Sequence, residues 1–389
     1  MSEVFKKGSF KKKIVIVGPA YPYRGGPALF VGNLYEQLSK DFDVEVFSFT
    51  RLYPQLLFPG VRQEDVSKVP AKPHPVHRTI DSINPLTWYK TAREIVRLKP
   101  DLVAFDWYQP FFGMAYNTIA GILKGAGIKV LFITENVISH EARFIDTFLT
   151  KIALRHADAF LTLSDSVCDF LKSMFGGKPV WQSTLPLFHT SENAAQMWTP
   201  ESAKEKLALK NKNVILFFGY IRKYKGLRDL ISAFPVVLKK VPDAHLLIVG
   251  ESYENVEEYH TLIKQSGVEN SITMINEYVP NEDIPLYYTA ADVVALPYIS
   301  ATQSGIVKIA FGFEKPVVAT DVGGLAEEVL KTGAGIVVPP HDVEKFAQAL
   351  IDFFKNSDIE AFKKGAREAK ESNDFSKIGG IFSEILGKI

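Results

Sequence analysis

Residues 301–327 read ATQSGIVKIAFGFEKPVVATDVGGLAE, and this stretch decides the fold. TQSG is turn-forming, and an apolar helical run from Ile306 to Phe313 follows it. Pro316-Val317-Val318-Ala319-Thr320 then has the length and β-branched content of a short buried strand. A glycine turn, Gly323-Gly324, leads on toward Glu327. Two strand-to-helix loops therefore lie close together in sequence. Loops of this kind leave backbone amides free at helix N-termini, where α/β proteins hold phosphates.

The same alternation extends in both directions. Upstream, apolar strands at Ile14–Val17, Val44–Phe49, Leu102–Phe105, Val130–Thr134 and Ala159–Leu163 alternate with helical stretches at Ala28–Leu38, Trp88–Leu98, Tyr116–Lys124 and Arg143–Ala157. Uninterrupted apolar strands require a sheet covered on both faces. The rhythm breaks at residues 187–211, where HTSENAAQMWTPES is polar and turn-rich. A second series follows, with strands at Val214–Phe218, His245–Val249, Ile272–Met274, Val293–Leu296 and Gly335–Val338. Its helices are Leu227–Lys239, Val256–Ser266, Ile284–Ala291 and Val343–Phe354. The expected fold class is α/β, two Rossmann-like doubly wound domains at 1–190 and 200–373 facing a central cleft, with a C-terminal helix at about 374–389.

Bulk composition agrees. A chain of 389 residues is too long for one core, and 47% hydrophobic with 23% charged residues is a soluble composition. A net charge of +1 gives no global field for nucleic acid. The single cysteine, Cys168, excludes an internal disulfide, fits a reducing cytoplasm and reads as a small buried hydrophobe. No apolar run approaches the ~20 residues of a membrane span. Lys6, Lys7, Lys11, Lys12 and Lys13 precede only Ile14–Val17, too short a run for a signal peptide. These lysines form a solvated tail or help dock on an anionic membrane surface. His74 and His77, in VPAKPHPVHR, have no further ligand at metal spacing and read as a surface loop.

Six stretches carry candidate chemistry. In GPAYPYRGGPALF (18–30), Gly25 and Gly26 let a ligand approach the backbone, and Arg24 offers a fork of donors to phosphate or sugar oxygens. In FDWYQPFFG (105–113), Trp107, Tyr108, Phe111 and Phe112 are either core or a stacking surface, and Asp106 and Gln109 are polar partners for hydroxyls. In TENVISHEARF (134–144), Glu135, Asn136, His140 and Glu141 gather after a strand, and His140 stands out as a substrate contact. In FFGYIRKYKGLRDL (217–230), Gly219 ends a strand, and Arg222, Lys223 and Lys225 precede a helix. Cations at a helix N-terminus oppose the dipole, so a bound diphosphate is the expected compensation. Tyr278 and Val279 sit where backbone groups can read a flat base. In the opening stretch, Thr302, Gln303 and Ser304 supply polar groups, Gly305, Ile306 and Val307 supply amides, and Glu327 follows the second turn.

Taken in order, these pieces resemble glycosyltransferase family 4 (group 1) of the GT-B fold. The matching pieces are the Gly25-Gly26 pair, FFGYIRKYKGL, VPDAHLLIVGE, EYVPNEDIPLYYTAADVVALPY and KPVVATDVGGLAEEV. The resemblance implies a retaining hexosyltransferase without a catalytic metal or cofactor. Its second domain would hold a UDP- or GDP-type sugar donor, its first domain a saccharide or lipid-linked acceptor, and its final helix would cross back to the first domain. Lys225 falls on the phosphate lysine. The arginine one residue after the strand-end glycine falls on Tyr220, so its role passes to Arg222. His140 would position donor or acceptor. The paired glutamates of the family fall on Ala301 and Ile309, so both carboxylates are absent, with Thr302, Gln303 or Lys308 as stand-ins. The implied setting is polysaccharide, lipopolysaccharide or glycolipid synthesis in the cytoplasm, with peripheral contact at the inner membrane surface. The alternatives are a non-catalytic nucleotide-binding or partner protein on a degenerate transferase fold, and a sugar-nucleotide epimerase.

Overall fold

The computed structural model describes residues 11–58, 60–68, 74–134, 144–183, 197–301, 304–356, 358–372 and 376–389. The inter-domain boundary read at residue 190 lies outside them. The first domain holds seven parallel strands: β1 (Lys13–Val17), β2 (Asp43–Arg51), β3 (His77–Asp81), β4 (Leu102–Trp107), β5 (Lys129–Thr134), β6 (Ala159–Thr162) and β7 (Val180–Gln182). They lie in the order β3-β2-β1-β4-β5-β6-β7. The second domain holds six: β8 (Asn213–Phe218), β9 (Ala244–Val249), β10 (Ile272–Ile275), β11 (Val293–Leu296), β12 (Val317–Thr320) and β13 (Gly335–Val338). Their order is β10-β9-β8-β11-β12-β13. Central strands such as β4 and β9 are buried along their whole length, which is why each is apolar except for one residue, Asp106 in β4 and His245 in β9.

The helices of the first domain are α1 (Gly26–Leu38), α2 (Pro85–Leu98), α3 (Gly113–Gly125), α4 (Phe144–Leu154) and α5 (Asp165–Met174). The second domain carries α6 (Pro200–Lys206), α7 (Leu227–Lys240), α8 (Val256–Gln265), α9 (Ile284–Ala290), α10 (Gly305–Gly312), α11 (Gly323–Thr332) and α12 (Val343–Lys355). Two more helices, α13 (Ile359–Ser372) and α14 (Ser376–Lys388), end the chain. No helix among the described residues is long and apolar enough to cross a membrane.

Two strands depart from the sequence reading, β3 and the three-residue β7, neither of which it contains. His77 opens β3 instead of lying in a surface loop. HRTID is an edge strand with only Ile80 fully buried, so it shows no apolar run. His77 Nε2 lies 2.9 Å from Glu45 Oε2, and His74 stacks on Tyr35 at 4.8 Å. No cluster of metal-ligating side chains occurs among the described residues.

Each sheet reverses its strand order beside its first strand, between β1 and β4 and between β8 and β11. Ligands of doubly wound sheets bind outside the strand carboxyl ends at such switch points. The two C-terminal helices tie the domains together. α13 packs on α10 and α11, and α14 packs on α1. Ile378, Phe382 and Ile385 repeat at helical spacing and are buried in one cluster with Phe30, Leu34 and Leu38. Each such side chain contributes roughly 1.5–3 kcal/mol by burial.

Candidate active site

The second domain's switch point is built on glycine. Gly219 follows β8 at φ +99°, a conformation that needs glycine. A Cβ there would lie 3.0 Å from Lys225 Nζ and 3.0 Å from Ile306 Cδ1, so Gly219, Lys225 and the start of α10 converge. Gly226, at φ +67°, leaves no room for a Cβ, which would fall 1.8 Å from the Pro297 carbonyl oxygen. That close approach locks the loop after β8 onto the loop after β11, and Ile299 N donates to Tyr224 O across the same seam at 2.7 Å.

Lys225 ends the 3-10 turn Lys223–Lys225 and is only 7% exposed. Its ammonium lies 5.6 Å from the Tyr298 ring, and no carboxylate among the described residues pairs with it. Burial, with a smaller contribution from the Arg222 charge, lowers its pKa to about 7. Arg222 is half-buried over the Tyr224 ring at 5.5 Å, and Lys223 is exposed. The structure therefore brings Arg222 and Lys225 together and leaves Lys223 to solvent.

Two helix N-termini open beside this pair. Ser304 caps α10 without a side-chain hydrogen bond to the helix, and its hydroxyl lies 3.5 Å from the Tyr298 hydroxyl. The amides of Gly305, Ile306 and Val307 follow. Val322 caps α11, also with no side-chain cap bond, and Gly323-Gly324 form its first turn. Because β11 and β12 are adjacent and parallel, both helices start at the same sheet edge. Adjacent uncapped N-termini beside a buried cation are an arrangement able to hold an anion.

The carboxylate slots are apolar in three dimensions too. Ala301 and Ile309 are both buried in the hydrophobic core. Lys308 is no stand-in for them: its ammonium forms a buried pair with Glu328 at 2.6 Å. Sequence reasoning did not single out Glu328; its position one turn after Gly324 in the EE pair was the available signal. Glu327 is exposed on α11. Thr302 and Gln303 lie outside the described residues, as do Glu135, Asn136, His140 and Glu141.

Across the cleft, Gly25 caps α1 at φ +101°, and the atom nearest a Cβ there would be the Tyr220 hydroxyl, at 4.0 Å. Gly26 has open space on that side. Arg24, expected to serve phosphate or sugar oxygens, is instead spent on the domain interface. Its side chain is 4% exposed, and its Nη2 pairs with Glu251 Oε2 at 2.5 Å. The guanidinium lies over the Tyr278 ring at 4.4 Å and near the Tyr220 ring at 5.6 Å. Tyr278 is therefore an interface residue by its side chain, with its hydroxyl 3.3 Å from Asp65 Oδ1. Val279 is buried in the core behind it. Asp65 Oδ2 also accepts from Asn281 Nδ2 at 2.9 Å, and Val61 N donates to Glu251 Oε1 at 2.8 Å. The segment 60–68 is thus bonded to the second domain at several points, and nothing local in its sequence announces this.

The aromatic loop after β4 resolves mostly into core. Trp107 and Phe112 are fully buried, while Tyr108 and Phe111 are half-buried. Tyr108 and Tyr53 share a hydroxyl–hydroxyl bond at 2.9 Å, and Gln109 donates to the same Tyr53 hydroxyl, so neither Tyr108 nor Gln109 points outward as a ready sugar contact. Asp106 is fully buried against Gly18, where a Cβ would lie 2.8 Å from the Asp106 Cβ. Cys168 is a buried free thiol.

With this geometry in place, comparison with known proteins is informative. Residues 24–182 match the family described as Glycosyltransferase Family 4, and residues 199–371 match Glycosyl transferases group 1. The chain is 32% identical over 156 residues to a D-inositol 3-phosphate glycosyltransferase of Corynebacterium aurimucosum, covering 39% of this chain and 37% of that protein. It is 24% identical over 241 residues to spore coat protein SA of Bacillus subtilis, covering 57% of this chain and 63% of that protein. The matches thus span between 37% and 63% of those two relatives' length. Among solved structures, HepE of Anabaena in complex with UDP superposes with a TM-score of 0.74 at 19% identity, covering 97% of this chain and 100% of that one. Sucrose-phosphate synthase of Thermosynechococcus elongatus gives a TM-score of 0.73 at 17% identity, covering 97% and 99%.

Proposed function

This chain belongs to the group 1 and family 4 glycosyltransferases of GT-B architecture, and we propose that it moves a sugar from a nucleoside-diphosphate donor to an acceptor hydroxyl. The observation that carries the reading is Lys225. It is a buried ammonium with no carboxylate partner among the described residues, set against Gly219 and the first turn of α10. An unpaired buried cation is costly, and a bound diphosphate offsets that cost. HepE of Anabaena, which shares the fold, was solved with UDP and with UDP-glucose, so a UDP-sugar is the first donor to try.

In the proposed reaction the sugar C1–O bond to the diphosphate breaks, and C1 bonds to the acceptor oxygen on the same face. The acceptor proton passes to the departing diphosphate, and configuration is retained. Lys225, Arg222 and the amides of α10 and α11 neutralise the charge that develops on the leaving group, without a metal. Gly25 and Gly26 let the acceptor approach the donor closely. His140 keeps the positioning role that the resemblance implies. The acceptor class we put forward is a saccharide or lipid-linked hydroxyl, in polysaccharide or glycolipid synthesis at the cytoplasmic face of a membrane.

One observation favours a second reading, a binding protein on the same fold. Ala301 and Ile309 put apolar side chains where the paired carboxylates of the family stand. A thermal-shift and turnover screen against UDP- and GDP-sugars separates the two. A donor at a hundredfold its Kd stabilises by about 2.7 kcal/mol. Melting-point rises with transfer or slow donor hydrolysis support the transferase. A rise with neither leaves the binding protein, and no rise with any donor ends both.

A further inference from the structure

Lys225 has a ring where a buried ammonium usually has a carboxylate. Tyr298 follows β11, is 2% exposed, and has the Lys225 ammonium over its ring at 5.6 Å. A ring face attracts a cation at that range. Three contacts fix the ring there. Thr320 Oγ1, at the end of β12, donates to the Tyr298 carbonyl oxygen at 2.5 Å. The Tyr224 ring meets the Tyr298 ring edge-on, at 6.1 Å and 85°. Ile299 N, one residue on, donates to Tyr224 O at 2.7 Å. Tyr298 is thereby tied to the end of β12 and to the turn that carries Lys225, so ring and ammonium keep their relative placement.

Lys308 shows what the usual partner does. Its carboxylate, Glu328 at 2.6 Å, takes the ammonium for the fold. A carboxylate beside Lys225 would compete with any incoming anion for the same N–H donors. A ring face stabilises the charge modestly and leaves those donors free. No other neighbour supplies the missing counter-charge. Among the described residues the one charge acting on Lys225 is Arg222, which repels it, and Gly219, Tyr224 and Ile306 bring no carboxylate. Tyr298 itself serves as a ring and not as a phenolate. Burial, with a smaller contribution from Tyr224, pushes its pKa up, so the phenol stays neutral.

We propose that Tyr298 is a positioning residue of this site: its ring holds the Lys225 ammonium charged and in place without competing for it, so that the ammonium stays available to the donor diphosphate. The availability to a diphosphate rests on the proposed function, whereas the hold on Lys225 does not. The ring takes the part of a counter-ion that yields to the ligand.

The full chain, with lysine labelled by carbon-13 at Cε, is titrated by NMR without donor. Lys225 is the resonance missing from Lys225→Ala. Tyr298→Leu removes the ring, and its Lys225 should titrate about 0.4–1.5 pH units below wild type. Tyr298→Phe keeps the ring and should titrate with wild type. If Tyr298→Leu does not fold, Tyr298→Met is read in its place, because an unbranched side chain adapts to the space of a ring. Calorimetry with UDP then reads the consequence. At about pH 8 Tyr298→Leu should bind UDP roughly two- to thirtyfold more weakly than wild type, with a smaller difference at about pH 6. The proposal is overturned if Lys225 in the ringless variant titrates with wild type or above it. It is also overturned if Tyr298→Phe falls as far as the ringless variant. Wild type that binds no UDP at either pH counts against the donor reading and leaves the lysine titration standing. Normal UDP binding with an unmoved titration counts against Tyr298 alone.

Discussion

Lys225 and Lys308 are both buried lysines of the second domain, and their surroundings differ in one respect. Lys308 has the Glu328 carboxylate at 2.6 Å, whereas Lys225 has no carboxylate partner among the described residues. Burial lowers both pKa values. For Lys308 the Glu328 charge and hydrogen bond work against that, and for Lys225 the value falls to about 7. Lys308 is satisfied within the fold, and under the proposed function Lys225 is completed by the donor diphosphate. The difference separates structure from function among residues that composition cannot tell apart.

The sharpest way to break the comparison is Lys225→Ala. It should cost about 2–4 kcal/mol of transition-state stabilisation, read as a drop in kcat/KM for transfer. The melting temperature should hold or rise, because an unpaired buried cation has gone. An unchanged rate removes Lys225 from the mechanism. The mirror experiment is Lys308→Met, which strands Glu328. It should cost about 2–3 kcal/mol of folding stability, below the usual range for a broken buried pair because Glu328 keeps some exposure. Denaturant unfolding measures it, and Lys308→Met/Glu328→Leu should recover most of the loss. A fall in kcat with unchanged stability would reverse the two roles.

Arg24 extends the comparison to a cation whose partner sits in the other domain. Arg24→Ala leaves Glu251 nearly buried and should weaken closure by about 2 kcal/mol. Small-angle scattering should show a larger radius of gyration, with faster amide exchange over 60–68. No change in either would mean that the pair does not hold the cleft shut.

The smallest effect is on pH. The Lys225 pKa is depressed in the fold, so between about pH 7 and the ordinary lysine value the unfolded chain binds more protons. Stability of the unliganded protein therefore rises with pH across that window, and the gain disappears as pH falls to about 7. A diphosphate prefers the ammonium, so UDP affinity should run the other way and fall by up to about 1.4 kcal/mol per pH unit above 7. Calorimetry in buffers of different ionisation enthalpy would show proton uptake on binding. Lys225→Ala should abolish it, and its persistence there would place the proton elsewhere.

What could be read from the sequence was what is local. Of the thirteen strands among the described residues, eleven carry apolar runs that the chain shows locally, all but β3 and β7. Gly219, Lys225 and the start of α10 converge in space, as loops after adjacent parallel strands must, because those loops share one edge. Arg24 was misjudged because its partner is 227 residues away, and no local pattern encodes a cross-domain pair. Lys308 was misjudged for a similar reason, its partner lying 20 residues on across a helix-to-helix contact. β3 was missed because an edge strand needs only one fully buried side chain. Trp107 and Phe112 offered equal support for core and for ligand, and packing against Tyr116 decided for core.

The last helix has a consequence for how the molecule comes into being. Phe30, Leu34 and Leu38 on α1 pack in one cluster with Ile378, Phe382 and Ile385 of α14, which a ribosome makes well after the first domain. At ~5–20 residues per second the completed first domain waits roughly 10–40 s with that apolar stripe bare. During synthesis the nascent first domain should therefore be a chaperone client, and a chain released before residue 376 should aggregate through α1.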